Sequence, residues 1–341
     1  MSAYLARRLL FLPVIAIGIT ALIFALLQVL PPASRAMLFV QRPEQAAAIT
    51  AIIRKYGLDQ PMYVQYWHWL RNVLHGDLGY SQSARMPVLE AIRTFFPATV
   101  ELGLYAFASL VAVGLWLGTL SAVHKDGLLD NLSRLFSITG YSLPVFVWGV
   151  LLLFFFYGDL NWFPPERLSL QATLYTQSPA FHAYTGLMTL DALLNSAWWV
   201  FGDAVRHLVL PVVTLTYFLA ATLVRITRAS MLEVLEQDYV RTARSKGVPE
   251  PMVVARHARM NALIPVITLS GSILVGLLSG VVITETIFNF PGVGRWGAAA
   301  ALQLDVPAVA GFALVIGVVT VLANLGADLL YGLVDPRIRF G

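Results

Sequence analysis

Apolar positions in this chain gather into long runs and do not follow the shorter alternations typical of soluble elements. The runs Leu9 to Leu30, Pro97 to Val123, Leu132 to Tyr157, Leu208 to Ile226, Leu263 to Phe288 and Val306 to Val334 are each about 20 residues or longer, enough for a helix to cross a hydrocarbon core. They predict an all-α polytopic membrane fold with six transmembrane helices. Arg7 and Arg8 precede the first run, which is longer than the apolar core of a cleaved leader and reads as a retained span. Pro144 removes a backbone donor and predicts a kink in the third span. Gly276 and Gly280, extended by Ser272, form a small-residue pattern that predicts close helix packing on the fifth.

Between the runs the pattern changes to amphipathic pieces. In residues 31–96, Pro43 and Glu44 open a helix that carries Ile49, Ile52, Ile53 and Tyr56 on one face, and Gly57 stops it. Tyr63, Tyr66, Trp67, Leu70 and Leu74 then form an aromatic stripe suited to the membrane interface. Residues 158–206 are a second polar segment, whose stretch from Leu187 to Phe201 is too short and broken to span. The third, 229–262, is the most basic. In it Leu232, Leu235, Tyr239 and Ala243 fall at helical spacing, Gly247 suits the left-handed residue that closes a helix, and Pro249 and Pro251 force a turn before a second helix. The chain thus divides into an N-terminal span (1–30), a segment (31–96), a five-span core (97–334) containing the insert 158–206 and the loop 229–262, and a short tail (335–341).

Composition fixes the class and orientation. Of 341 residues 58% are hydrophobic and 12% charged, about half the charged share of soluble domains. This leaves no soluble domain to present a nucleic-acid-binding face. The net charge of +4 follows from Lys and Arg beside the spans. Placing Arg7, Arg8, Lys125, the cluster Arg225 to Arg259, Arg337 and Arg339 on the inner side puts both termini in the cytoplasm and the segments 31–96 and 158–206 outside. The absence of cysteine excludes disulfides, thiolate nucleophiles and Cys-ligated metals.

The run Asp238-Tyr239-Val240-Arg241-Thr242-Ala243-Arg244-Ser245-Lys246-Gly247 resembles the EAA loop of ABC-importer permeases, in the form of the dipeptide and oligopeptide branch. The general pattern is Glu-Ala-Ala, three residues, Gly, nine residues, Ile-x-Leu-Pro. Here Arg241-Thr242-Ala243 stands for the triplet and Gly247 for the Gly. His257-Ala258-Arg259-Met260 replaces the last motif, with the nearest proline at Pro265. The resemblance extends through Tyr56-Gly57-Leu58-Asp59, Gly76-Asp77-Leu78-Gly79, Glu285-Thr286-Ile287-Phe288, Pro291-Gly292-Val293-Gly294-Arg295 and Asp335-Pro336-Arg337, while Pro31-Pro32-Ala33 replaces the family's Pro-Gly-Asp.

The resemblance implies an inner-membrane permease that pairs with a second, homologous permease and two ATP-binding subunits, fed with di- or oligopeptides by an external solute-binding protein. Asp238, Tyr239, Arg241, Thr242, Ala243, Lys246 and Gly247 are the implied ATPase-coupling residues, with Ala243 and Gly247 expected one turn apart on one face. No Gly-x4-Gly-Lys-Ser/Thr phosphate loop is present, so the chain reads as no enzyme, with no catalytic residue and no bound cofactor; ATP and Mg belong to the partners. Polar groups in the spans nominate Ser142, Thr222, Ser272, Ser279 and Glu285 for a substrate path, against a default of interhelical hydrogen bonding. The six histidines lie in different loops and form no metal motif. The same architecture also accommodates nickel or oligosaccharides, and an ion-coupled secondary transporter is the rival from another class.

Overall fold

The computed structural model describes residues 2–29, 31–37 and 49–334. Pro43, Glu44 and the tail with Asp335, Pro336, Arg337 and Arg339 lie outside them. In chain order the elements are α1 (Ser2–Leu27), α2 (Pro32–Met37), α3 (Ile49–Tyr56), α4 (Met62–Leu74), the two-residue strands β1 (Tyr80–Ser81) and β2 (Met86–Pro87), α5 (Val88–Val123), α6 (Leu128–Ser142), α7 (Val145–Leu153), α8 (Leu170–Thr176), α9 (Met188–Leu194), α10 (Trp198–Leu235), α11 (Asp238–Ser245), α12 (Glu250–Met252), α13 (Arg259–Leu278), α14 (Val282–Ile287), α15 (Val293–Leu302) and α16 (Val306–Val334). Wide π-turns carry α7 onward through Phe154–Asp159 and join α12 to α13 through Val253–Ala258.

Four helices among the described residues are long and apolar enough to cross a membrane: Val88–Val123, Trp198–Leu235, Glu250–Leu278 and Val306–Gly326. Leu128–Ser142 and Val145–Asp159 make a fifth if taken as one span. The kink predicted at Pro144 is a break of 101°. Leu143 is extended (φ −113°, ψ 141°) because the proline ring excludes helical backbone at the residue before it. In α1 the described apolar stretch is Pro13–Ala25.

The sequence boundaries need three corrections. The fourth span is one helix of 38 residues that takes in Trp198, Trp199 and Arg206, which the hydropathy pattern places in the insert. Helix α5 begins at Val88, with Pro97 inside it. The fifth span does not run to Phe288: α13 ends at Leu278, and Gly280 takes φ +102° before α14 begins.

The chain forms two compact units. In the first (Met1–Thr99, Ser279–Val282, Pro291–Leu322), Val88, Ala91 and Ile92 of α5 pack with Val293, Trp296 and Ala300 of α15 and Ala308 of α16. Asp305 caps α16 and pins the β1–β2 hairpin: its Oδ2 accepts from Ser81 Oγ (2.8 Å), Ser83 N (2.8 Å) and Ser83 Oγ (2.7 Å). Helix α4 buries Gln65 and leaves Tyr63, Trp67 and Leu74 of the aromatic stripe exposed, while Tyr66 and Leu70 are half-buried.

The second unit (Val100–Leu278, Ile283–Phe290, Ala323–Gly341) is built on α10. Close approach there depends on Gly114 and Gly118 of α5: a Cβ on either would lie 2.5 Å from an atom of Leu223 or Thr227 on α10. The pair predicted for this role, Gly276 and Gly280, does not perform it. Gly276 has open space around its Cβ position, and Gly280, beyond the helix end, makes its close approach elsewhere: a Cβ there would lie 3.0 Å from Gly294 Cα at the start of α15.

Candidate coupling site

Helix α10 stops at Leu235, and Gln237 adopts the extended conformation (φ −70°, ψ 149°) that starts α11. The reason α11 is short lies in its composition. Only Val240 and Ala243, one turn apart, are buried; they pack with Val253 and with Val234, Leu235 and Val248. The other side of this eight-residue helix faces outward with Asp238, Tyr239, Arg241, Thr242 and, just past its end, Lys246. Gly247 takes φ +77°, a left-handed conformation that glycine adopts without a Cβ penalty. The amides of Gly247 and Val248 bond back to the carbonyls of Arg244 (2.9 Å) and Ala243 (3.3 Å).

The turn is braced by a forked ion pair. Arg244 Nη2 donates to Glu250 Oε1 (2.6 Å) and Nε to Oε2 (3.0 Å), and the carboxylate raises the Arg244 guanidinium above its ordinary pKa. Asn261 Nδ2 donates to the Tyr239 hydroxyl (2.9 Å), joining α11 to α13. The outcome is a small helix tied near both ends, with its polar face exposed.

Two predicted details change. Leu232 and Leu235 do not share a stripe with Tyr239 and Ala243, because the chain leaves helical geometry at Glu236 and Gln237. Ala243 and Gly247 do not share a face: Ala243 is turned into its own chain, and Gly247 stands beyond the helix.

The substrate-path candidates do not form one constellation. Ser142 Oγ donates to Ile138 O (2.6 Å) in its own helix, Thr222 is half-buried on α10 and Ser272 is exposed on α13. Ser279 faces Thr320 (Oγ to Oγ1 3.4 Å), and Glu285 is fully buried in α14. Among the described residues no group of His, Asp or Glu side chains is arranged to hold a metal ion.

A buried charge centre beneath the loop was missed. The Asp130 carboxylate, 0% exposed, accepts from Arg228 Nε (2.6 Å) and Nη2 (2.8 Å), Arg134 Nη2 (2.8 Å), the Asp126 amide (2.9 Å) and Ser121 Oγ. It ties α5, α6 and α10 together seven residues before α10 ends. An acid and a base inside apolar segments at the same end of their spans are the sequence signal for such a pair.

The insert is likewise built around a buried acid. Glu101 Oε2 accepts from Arg167 Nη2 (2.6 Å) and Nε (3.1 Å), while Oε1 accepts from Thr189 N (2.7 Å) and Oγ1 (2.8 Å). Leu168, Ala172, Phe181 and Ala192 of the insert pack on Val200 and Ala204 of α10.

Several long apolar helices and a short amphipathic helix on a braced turn define a multi-pass membrane component. The family description "Binding-protein-dependent transport system inner membrane component" matches residues 114–340, and its N-terminal counterpart matches residues 1–103. The chain belongs to this family of inner-membrane permeases. It is 40% identical over 340 residues to the di/tripeptide transport system permease protein DppB of Pseudomonas aeruginosa, covering 99% of each chain. It is 41% identical over 344 residues to the dipeptide transport system permease protein DppB of Escherichia coli K12, again covering 99% of each. The glutathione transport system permease protein GsiC of Pectobacterium atrosepticum is 34% identical over 340 residues and the full length of both chains.

Proposed function

We propose that this chain is one of two permease subunits of an ATP-driven importer for di- and tripeptides. The observation that carries the substrate class is end-to-end similarity at about 40% identity to permeases named for di- and tripeptides. In this reading six spans place both termini in the cytoplasm, with α1 as the first, the bent α6–α7 pair as the third and α13 as the fifth. An external binding protein delivers peptide to the segments 31–96 and 158–206. A second, homologous permease completes the path, and two ATPase subunits hold ATP and Mg.

Coupling runs through α11. Its free face of Asp238, Tyr239, Arg241, Thr242 and Lys246 seats in a groove of an ATPase subunit, and its other face, Val240 and Ala243, grips the chain's own α10 end. An amphipathic helix held in this way passes rigid-body motion from the groove to the spans. Gly247 keeps the turn that sets its angle.

The test is co-purification of the tagged chain expressed with its neighbouring genes, then ATP hydrolysis in lipid with and without the binding protein. Stimulated hydrolysis and uptake of dialanine, both lost in Gly247→Arg at normal membrane insertion, are the expected result. Normal uptake by a well-expressed Gly247→Arg would remove α11 from coupling, and a chain that recruits no ATPase and depends on a proton or sodium gradient would make it a secondary transporter.

A further inference from the structure

Helices α1, α2 and α4 of the first unit, with the start of α16, line a partly open cavity of about 80 Å³ that includes Phe24, Leu27, Gln28, Arg35, Trp69 and Pro307. That exceeds the roughly 30 Å³ share of one liquid water. Arg35 stands in its wall, 8% exposed. Nη1 donates to Gln28 Oε1 (2.7 Å) and to Gln65 Oε1, both neutral amide oxygens, and Nε is buried with no hydrogen-bond partner. Among the described residues no carboxylate lies within ion-pair distance of this guanidinium. Asp77, also on the cavity, sits at the exposed rim with Oδ1 taken by the Gly79 amide (3.1 Å), and His68 is exposed beside it.

A buried cation paired only with neutral groups is costly to hold, and an anion in the cavity offsets that cost. The desolvation is visible in the guanidinium itself, whose pKa falls below its ordinary value through burial. The anion must also suit apolar walls. Phe24, Tyr66 and Trp69 form a ring cluster with centroids 5.3–6.3 Å apart. On the other side of α4, Met62, Tyr63, Trp67 and Leu74 are exposed, an aromatic-rich face that belongs at a membrane interface. These walls offer a free ion nothing, whereas a lipid with its phosphate at Arg35 would set its glycerol and the first carbons of a chain along Phe24, Leu27 and Pro307.

We propose that Arg35, with Gln28 and Gln65 orienting it, is a headgroup site for the phosphate of an anionic phospholipid. The lipid anchors the α1–α2–α4 corner at the interface and supplies a counter-charge that no described residue provides.

The test uses the full-length chain in nanodiscs of dioleoylphosphatidylcholine doped with dioleoylphosphatidylglycerol or dioleoylphosphatidylethanolamine, followed by native mass spectrometry of retained lipid. Wild type is expected to hold one phosphatidylglycerol selectively. Arg35→Gln removes the charge, and Gln28→Glu gives the guanidinium an internal carboxylate. Loss of one charge-assisted contact corresponds to about tenfold weaker retention in each. Gln28→Glu keeps the cation and decides the matter even if Arg35→Gln fails to fold. Equal retention of the zwitterionic lipids, unchanged retention in a folded variant, or displacement of the lipid by millimolar inorganic phosphate or dialanine would overturn the proposal. The last result would make the cavity a site for free oxyanions.

Discussion

Replacing Asp130 by Asn tests the charge centre that ties α10 to its neighbours. The substitution keeps shape and removes charge. Five donors converge on the native carboxylate: two from Arg228 and one each from Arg134, Asp126 and Ser121. An amide can accept at one oxygen only, and its NH2 group would point at donors. Arg228, whose side chain is 21% exposed, cannot solvate itself fully in compensation. The individual bonds cannot be summed because they share one carboxylate, so the relevant scale is the cost of breaking a buried pair from one side, about 3–5 kcal/mol. Removing both charges is cheaper: Asp130→Leu with Arg228→Met should recover about half or more of that loss, since no isolated charge remains. Denaturation of the purified chain in detergent reads the stability, and ATP hydrolysis by the assembled transporter reads coupling. Asp130→Asn within 1 kcal/mol of wild type, or a double variant no more stable than the single, would refute the assignment of Asp130 and Arg228 as one interdependent unit.

Gly118→Leu drives a side chain into Thr227 and should destabilise by at least the 1–3 kcal/mol typical of overpacking, read as a lowered melting temperature; Gly276→Leu, with open space around it, should leave the melting temperature of the isolated chain unchanged. Glu101→Gln removes the charge shared by Arg167 and Thr189 and should expose the 160–197 region to limited proteolysis well before the rest of the chain, at a cost of about 3 kcal/mol. Arg244→Ala loses a half-exposed pair with Glu250 and should cost no more than about 1 kcal/mol globally, yet hydrogen exchange at the Gly247 and Val248 amides should quicken as the turn loosens.

What could be read from the sequence follows the range of the interactions involved. The break at Gly247, the second helix near Pro251 and the amphipathic helix α4 depend on residues within a turn or two of one another, so spacing and Gly/Pro chemistry reveal them. Hydropathy found the apolar segments but not their ends: Leu278 and Phe288 lie in one apolar run, and only the φ of Gly280 shows that the helix stops between them. The same limit misassigned the small-residue contact. Gly114 and Gly118 repeat the spacing of Gly276 and Gly280, and nothing local shows that the first two both lie against α10 while Gly276 faces open space and Gly280 meets Gly294 past the helix end. Arg228 meets Asp130 from 98 residues away and Arg167 meets Glu101 from 66. Distances of that kind are set by packing.

The two faces of α11 divide the coupling problem physically. Val240 and Ala243 bury little area: at about 25 cal/mol per Å² of apolar surface, two small side chains cannot hold a helix in place alone. The hold comes from polar constraints at its edges, Arg244 with Glu250 on the turn and Tyr239 with Asn261 toward α13. A helix seated mainly by polar bonds at its rim can tilt about the Val240–Ala243 contact without unfolding. The Asp130 centre lies seven residues before the end of α10 and resists the same tilt in the spans. Under the proposed reading, movement of α11 therefore reaches the membrane as displacement of α10 together with the α5 and α6 ends bound to it. Softening the rim with Asn261→Ala should reduce uptake per ATP hydrolysed while leaving the unfolding free energy within about 1 kcal/mol of wild type. Equal losses of hydrolysis and uptake would place Asn261 in assembly with the ATPase instead of in transmission.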